Sequence, residues 1–191
     1  MKRIEAIVMG ASAGGVSALL TVMGCLPKAF AIPLICVLHL PDAHDSQLAD
    51  VFARKLRRPV REARDKESIE AGMIYVAGPG YHLSVERDRS LSLSQEERVH
   101  FSRPSIDILF ESAADAYGAA LAGVLLTGAN EDGAAGLARI NRLGGLSIVQ
   151  DPAQAQVSAM PAAALALHRP DHVLPLNGIG HLLAKLESHV C

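Results

Sequence analysis

Residues 7–15 read I-V-M-G-A-S-A-G-G, and this stretch decides how the rest of the chain is read. An apolar run ends at Met9; Gly10, Ser12 and Gly14 then spell G-x-S-x-G, and a helix-compatible stretch follows from about Val16. That is the sequence form of a nucleophile elbow, a sharp strand-to-helix turn that exposes one serine hydroxyl. Glycines suit the turn because a side chain would clash where the backbone doubles back. The helix N-terminus behind the serine offers free N–H groups to a developing oxyanion.

Outward from this turn, short apolar runs alternate with Ala/Leu-rich stretches. Residues 4–9, 33–40, 122–127 and 146–150 read as strands; 15–25, 46–56, 133–143 and 160–167 read as helices, with 178–188 as a closing helix. Continuous apolar strands joined by helices predict a parallel sheet covered on both faces. The middle breaks the rhythm. Residues 73–77, 82–86 and 90–93 are short strand-like pieces separated by Gly78-Pro79-Gly80 and Arg87-Asp88-Arg89, which predicts an inserted hairpin or meander. Residues 104–116 return to helical spacing, with Ile106, Leu109, Phe110 and Ala113 on one face. At 191 residues and 50% hydrophobic content, one compact domain over 1–191 is expected.

Composition excludes several functions. With 18 basic against 20 acidic residues there is no basic excess to suit nucleic acid or a membrane surface. Aromatics make up 4% with no Trp, which argues against a base-stacking platform. Cys25, Cys36 and Cys191 are scattered and form no C-x-x-C, so neither a disulfide framework nor a zinc knuckle is indicated and a reducing compartment is expected. The apolar stretch after Met1-Lys2-Arg3 is interrupted by Glu5 and stops at Gly10, too short for an export signal. No run approaches the length of a membrane span. The expected location is the cytoplasm, with no membrane insertion.

Sites in open α/β sheets lie beyond the carboxyl ends of the strands. Ser12 follows the first strand, His39 ends the second, and Asp132 follows the strand at 122–127. A serine, a histidine and an aspartate at one sheet edge have the composition of a nucleophilic triad. Each has a plainer alternative. Ser12 suits a turn or helix cap, His39 a buried strand, and Asp132, with Glu131 beside it, a cap for the helix that follows. Residues 39–45, H-L-P-D-A-H-D, raise a metal reading through Asp42, His44 and Asp45, but match no H-E-x-x-H or paired-cysteine spacing, so no metal is expected. His82 reads as a strand-start residue that could line a cleft, and Arg61, Glu62 and Arg64 as a solvated charge cluster. A dinucleotide loop at 10–15 is the chief rival. It lacks G-x-G-x-x-G, an acidic end to the second strand and a Tyr-x-x-x-Lys pair, so no cofactor is expected.

Taken in order, these segments resemble the catalytic domain of the chemotaxis protein-glutamate methylesterase (CheB-like) family. The matching pieces are G-A-S-A-G-G at 10–15, V-L-H-L-P at 37–41, R-E-A-R-D-K-E at 61–67 and G-M-I-Y-V-A-G-P-G-Y-H at 72–82. R-P-S-I-D-I-L-F at 103–110, G-V-L-L-T-G-A-N-E-D-G-A-A-G-L at 123–137 and A-M-P at 159–161 complete the set. The resemblance implies a doubly wound, mostly parallel α/β sheet with an antiparallel hairpin at one edge. It also implies a Ser-His-Asp triad carried by Ser12, His39 and Asp132. The implied reaction is hydrolysis of glutamate γ-methyl esters on a protein, expected to be the cytoplasmic helices of a chemoreceptor, with glutamine deamidation as a related activity. Backbone N–H groups near Ala13 and His39 are the expected oxyanion donors. The family's full-length members also carry an N-terminal receiver domain and linker, not found in this sequence, so phosphorylation control within the chain is not expected. Leu38 stands where the family commonly has Gln, and Ala129 where it commonly has Met. A scaffold that keeps the fold without efficient catalysis is the alternative function.

Overall fold

The computed structural model describes residues 3–39 and 47–187. In chain order the strands are β1 (Ala6–Ala11), β2 (Leu34–Leu38), β3 (Val60–Glu62), β4 (Ile74–Val76), β5 (His82–Val85), β6 (Leu91–Ser94), β7 (Leu121–Leu125), β8 (Leu146–Gln150) and β9 (His172–Leu174). The helices are α1 (Gly15–Gly24), α2 (Leu48–Leu56), α3 (Ile106–Tyr117), α4 (Ala134–Arg142), α5 (Ala159–Leu167) and α6 (Leu176–Glu187). Seven strands form one sheet in the order β3-β4-β2-β1-β7-β8-β9, and β5 and β6 form a separate pair. Every pairing in the large sheet is parallel, while β5 and β6 run antiparallel from His82 opposite Ser94 to Val85 opposite Leu91.

All six residues of β1 are buried because helices cover both faces of the sheet. Ile7, Met9 and Ala11 face a core built with Leu19 and Val22 of α1, Phe52 of α2, and Ile179 and Leu183 of α6. Ala6 and Val8 face the other core, with Leu109 and Phe110 of α3, Leu137 of α4 and Met160 of α5. Leu83, Val85 and Leu91 of the β5–β6 pair pack into this second core. The doubly wound α/β architecture is therefore the one expected. The hairpin forms a two-stranded sheet of its own, and the first of the three short central pieces, β4, joins the main sheet instead.

Three elements differ from the sequence reading. β1 starts and ends two residues later than the 4–9 run. β3 falls inside the charged stretch read as solvated; its Arg61 pairs with Glu67 and Glu70 at 3.0 Å while its backbone pairs with β4. β9, with a burial pattern of half-buried and exposed residues, closes the opposite edge. Both are three-residue edge strands, too short for a periodic apolar signal, and β3 carries two charged residues besides.

The chain leaves β1, builds β2, β4 and β3 on one side, and returns to β7 on the other. The connections after β1, β2 and β7 thus meet at the carboxyl edge where strand order reverses, the place such sheets open a crevice.

Candidate active site

Ser12 sits on the turn that its glycines predict. Gly15 N–H donates to Ser12 O at 2.7 Å, Gly14 takes φ 78°, and an added Cβ at Gly14 would come within 2.5 Å of Gln156 Oε1. A residue with a side chain is doubly disfavoured there. The N-cap of α1 is Gly14, with no side-chain cap bond, so Ser12 is not spent as a helix cap. The loop is anchored from β7: Ser12 N–H donates to Thr127 O at 2.9 Å and Thr127 Oγ1 to Ala13 O at 2.8 Å. Ser12 and His39 both line an open groove of about 590 Å³, whose walls include Val16, Leu20 and Leu38. Leu38 therefore supplies an apolar wall where a glutamine was the family expectation.

His39 follows β2 directly and is clamped by Asp132, with Nε2 2.7 Å from Oδ2. Asp132 is fully buried. Its Oδ2 also accepts Ile106 N–H at 2.7 Å, and its Oδ1 accepts Ser105 Oγ–H at 2.8 Å and Asp107 N–H at 2.9 Å. Burial pushes this carboxyl up; the hydrogen bonds, led by that of His39, outweigh it and hold the pKa below the ordinary carboxylate value. An ionised carboxylate only accepts, so Nε2 donates to it, and in a neutral imidazole Nδ1 then presents the lone pair. Nδ1 lies 3.4 Å from Ser102 Oγ. Among the described residues, no hydrogen bond joins Ser12 Oγ to the imidazole.

The plainer alternative for Asp132 was a cap for the helix that follows it. Asp132 instead caps α3, a helix that begins 26 residues earlier in the chain, while the N-cap of α4 is Gly133, with no side-chain cap bond. The exchange is reciprocal. Asp107, in the first turn of α3, accepts Gly136 N–H in the first turn of α4 at 2.7 Å. Desolvation raises the Asp107 carboxyl to about 6, with the nearby Asp132 charge adding to the rise and the Gly136 N–H and His100 opposing it. Gly136 is tightly enclosed: an added Cβ would meet Phe110 Cβ at 2.5 Å and the Asp107 backbone at 3.1 Å.

One feature of the site carried no sequence signal. Val99 and Ser102 exchange backbone hydrogen bonds of 3.1 and 2.8 Å around a two-residue turn, and its central residues, His100 and Phe101, both take positive φ (48° and 64°). Such turns favour Asn and Gly; H-F gives no hint. Asn130 ties this turn to the site, donating to His100 O at 3.4 Å and accepting Asp132 N–H at 3.2 Å.

Two expectations are corrected. The His39 N–H donates to Ala11 O at 3.1 Å as part of the sheet and is not free for an oxyanion. His82 lines no cleft. It is fully buried, its Nδ1 accepting Ser105 N–H at 3.1 Å and its Nε2 donating to Glu97 O at 2.9 Å, so it fixes the start of α3. Asp42, His44 and Asp45 lie outside the described residues. Among the described residues, His100, Asp107 and Asp132 place one ligand atom each within 4.8 Å of one another. Both oxygens of Asp132 are already filled by N–H and O–H donors, so a cation there would displace the imidazole or the α3 cap.

A family model for the CheB methylesterase matches residues 7–183. The chain belongs to the CheB methylesterase family. A relative in Leptospira interrogans, provisionally named a protein-glutamate methylesterase/protein-glutamine glutaminase, is 45% identical over 97% of this chain and 96% of its own length. Protein-glutamate methylesterase/protein-glutamine glutaminase 2 of Anaeromyxobacter dehalogenans is 41% identical over 96% of this chain, which spans about half (54%) of that longer protein. The crystal structure of the Thermotoga maritima CheB methylesterase catalytic domain superposes with a TM-score of 0.91 at 29% identity, covering 96% of this chain and 98% of that one. The family and the relatives' names support a hydrolase. Among the described residues, no helix is long and apolar enough to cross a membrane. Cys25 and Cys36 are free thiols.

Proposed function

We propose that this CheB-family chain is a serine-type esterase of the cytoplasm that removes methyl groups from glutamate γ-methyl esters on a protein, the cytoplasmic helices of a chemoreceptor being the expected substrate. The observation that carries the reading is that Ser12 and His39 share one groove while Asp132 holds the imidazole by Nε2, leaving Nδ1 as the base nitrogen.

The reaction follows from that geometry. Ser12 Oγ attacks the ester carbonyl carbon and its proton passes to Nδ1 of His39. Asp132 stabilises the imidazolium without taking the proton. The N–H of Ala13, next to the nucleophile at the start of α1, is suited to the oxyanion; one such donor contributes about 2.7–4 kcal/mol in studied enzymes. The tetrahedral intermediate collapses, the imidazolium protonates the departing methoxide, and methanol leaves an acyl-Ser12. Water then attacks that acyl group with Nδ1 as base, giving the glutamate carboxylate and free Ser12. The same steps on a glutamine side chain release ammonia in place of methanol. The Ser12–His39 hydrogen bond is expected to form as substrate enters, since catalytic hydrogen bonds often tighten only in the complex.

The test is methanol release from a methylated chemoreceptor fragment, with fluorophosphonate labelling of native and denatured chain beside it. The native chain should release methanol and label selectively, and Ser12→Ala should do neither. Methanol release by Ser12→Ala at the native rate ends the nucleophile assignment; a native chain that does not label favours the scaffold alternative.

A further inference from the structure

We propose that Phe101 is a specificity-determining residue, the apolar contact by which this chain grips its protein substrate beside the ester; the proposal rests on the esterase reading above. Phe101 is 96% exposed, and the next most exposed large apolar side chain among the described residues, Leu167, reaches 61%. A lone exposed hydrophobe is ordinary on a protein surface. This one stands at a backbone position that argues against it. Both central residues of the 99–102 turn take positive φ, a conformation that Asn, Asp and Gly adopt readily and a bulky aromatic does not. The chain thus holds a strained phenylalanine where a small polar residue would relieve strain and remove apolar surface from water. The backbone is held by the 99–102 hydrogen bonds and by Arg98, which donates to the Phe101 carbonyl at 3.4 Å, but the exposed ring itself gains no packing within the fold. An outlier of this kind points to a role outside the chain's own stability.

The turn is also aimed. His100 is held between Asp107 and Glu131, with a ring nitrogen 3.4 Å from each carboxylate. Asn130 binds the His100 carbonyl, and Ser102 places its hydroxyl 3.4 Å from His39 Nδ1. Phe101 lies between two residues fixed to the site, so the turn that carries its exposed ring is held beside His39. The groove that Ser12 and His39 line has Val16, Leu20 and Leu38 in its walls. A partner that meets both surfaces needs an apolar side chain next to the glutamyl ester, as on an amphipathic helix, and a small free ester has nothing to offer Phe101. Aromatic side chains that become covered on association are the commonest anchors of protein recognition.

The test separates grip from chemistry. Phe101→Asn suits the positive φ and keeps the turn while removing the ring; Phe101→Leu restores an apolar side chain. Steady-state hydrolysis is measured on a methylated chemoreceptor fragment and on p-nitrophenyl acetate. Phe101→Asn should raise KM for the protein substrate roughly tenfold or more, with kcat and the small-ester kcat/KM within about twofold of the native chain, and Phe101→Leu should recover most of the loss. An unchanged protein KM in Phe101→Asn overturns the proposal and leaves the esterase reading standing. Equal loss on both substrates also overturns it, because the residue is then structural. A native chain that hydrolyses neither substrate overturns the esterase reading, and this proposal with it, before any substitution is made.

Discussion

Replacing Asp132 with asparagine exchanges one carboxylate oxygen for an amino group at a fully buried position that receives four donors. The donors arrive in two pairs, Ser105 Oγ–H and Asp107 N–H on Oδ1, and His39 Nε2–H and Ile106 N–H on Oδ2. Whichever way the amide turns, its NH₂ faces one backbone N–H of the first turn of α3. Ser105 can rotate its hydroxyl and His39 can swap its tautomer, but a backbone N–H can do neither. One buried donor is therefore orphaned, at about 1–3 kcal/mol. The negative charge at the α3 N-terminus is lost as well, at roughly 1 kcal/mol. Together the loss is about 2–4 kcal/mol, a drop of about 1–2 M in the urea midpoint if the slope is near 2 kcal/mol/M. The difference has a defined pH range. Because the folded pKa of Asp132 is depressed, its contribution is fully present above the ordinary carboxyl value near pH 4 and fades as pH falls through the lowered value. Turnover should fall by up to roughly 10⁴-fold, since the amide either donates its NH₂ to Nε2 and fixes the wrong tautomer or accepts Nε2–H without the charge that supports the imidazolium. Urea unfolding at pH 7, followed by circular dichroism, measures the first effect and methanol release the second. A midpoint within about 0.3 M of the native chain would show that the carboxylate does not carry the α3 cap, and the hydrogen-bond assignment would be wrong.

Asp107 predicts the opposite pH dependence. Its folded pKa, raised to about 6, means the folded state holds a proton that the unfolded state has released, so this group makes the protein lose stability as pH rises from about 4 to 6. The full span is worth roughly 3 kcal/mol, and Asp107→Asn, whose Oδ1 still accepts Gly136 N–H, should flatten that slope in thermal unfolding at pH 4.5 and 7.5. A native stability that rises across this interval, with no flattening in the variant, would refute it. Gly136→Ala should cost about 2–4 kcal/mol, because its methyl would meet the Phe110 side chain and the Asp107 backbone rather than a flexible side-chain end. Chemical denaturation reads it, and a loss below about 0.5 kcal/mol would show that α3 and α4 have room to part.

The architecture was legible where local chemistry and long-range packing agree. Residues 7–15 carry an apolar strand, a glycine turn and a helix start in one contiguous string, and β2, β7 and β8 are apolar because both faces of the sheet are covered. Placing Ser12, His39 and Asp132 at strand ends needed only the parallel order. What the sequence hid is what depends on a partner far along the chain. Asp132 looks like a cap for α4 because capping is usually local, and only folding brings α3 to it. His82 does start a strand, but nothing local shows that its two nitrogens are consumed inside by Ser105 and Glu97. Helical spacing over 104–116 foretold α3, but not that Ser105 and a distant carboxylate would share its cap. The 99–102 turn is invisible because His100 and Phe101 are not residues that mark positive φ, and β3 and β9 because edge strands of three residues carry no periodic signal.

The crossed capping of α3 and α4 binds heredity to chemistry. The carboxylate that would steady the general base is also a structural keystone. A duplicated gene whose product had stopped working as an esterase would still be selected to retain Asp132, merely to stay folded. Among descendants of such a gene, that aspartate is a poor witness to turnover; the hydroxyl of Ser12, which caps no helix and, among the described residues, accepts no hydrogen bond, would be the first to drift.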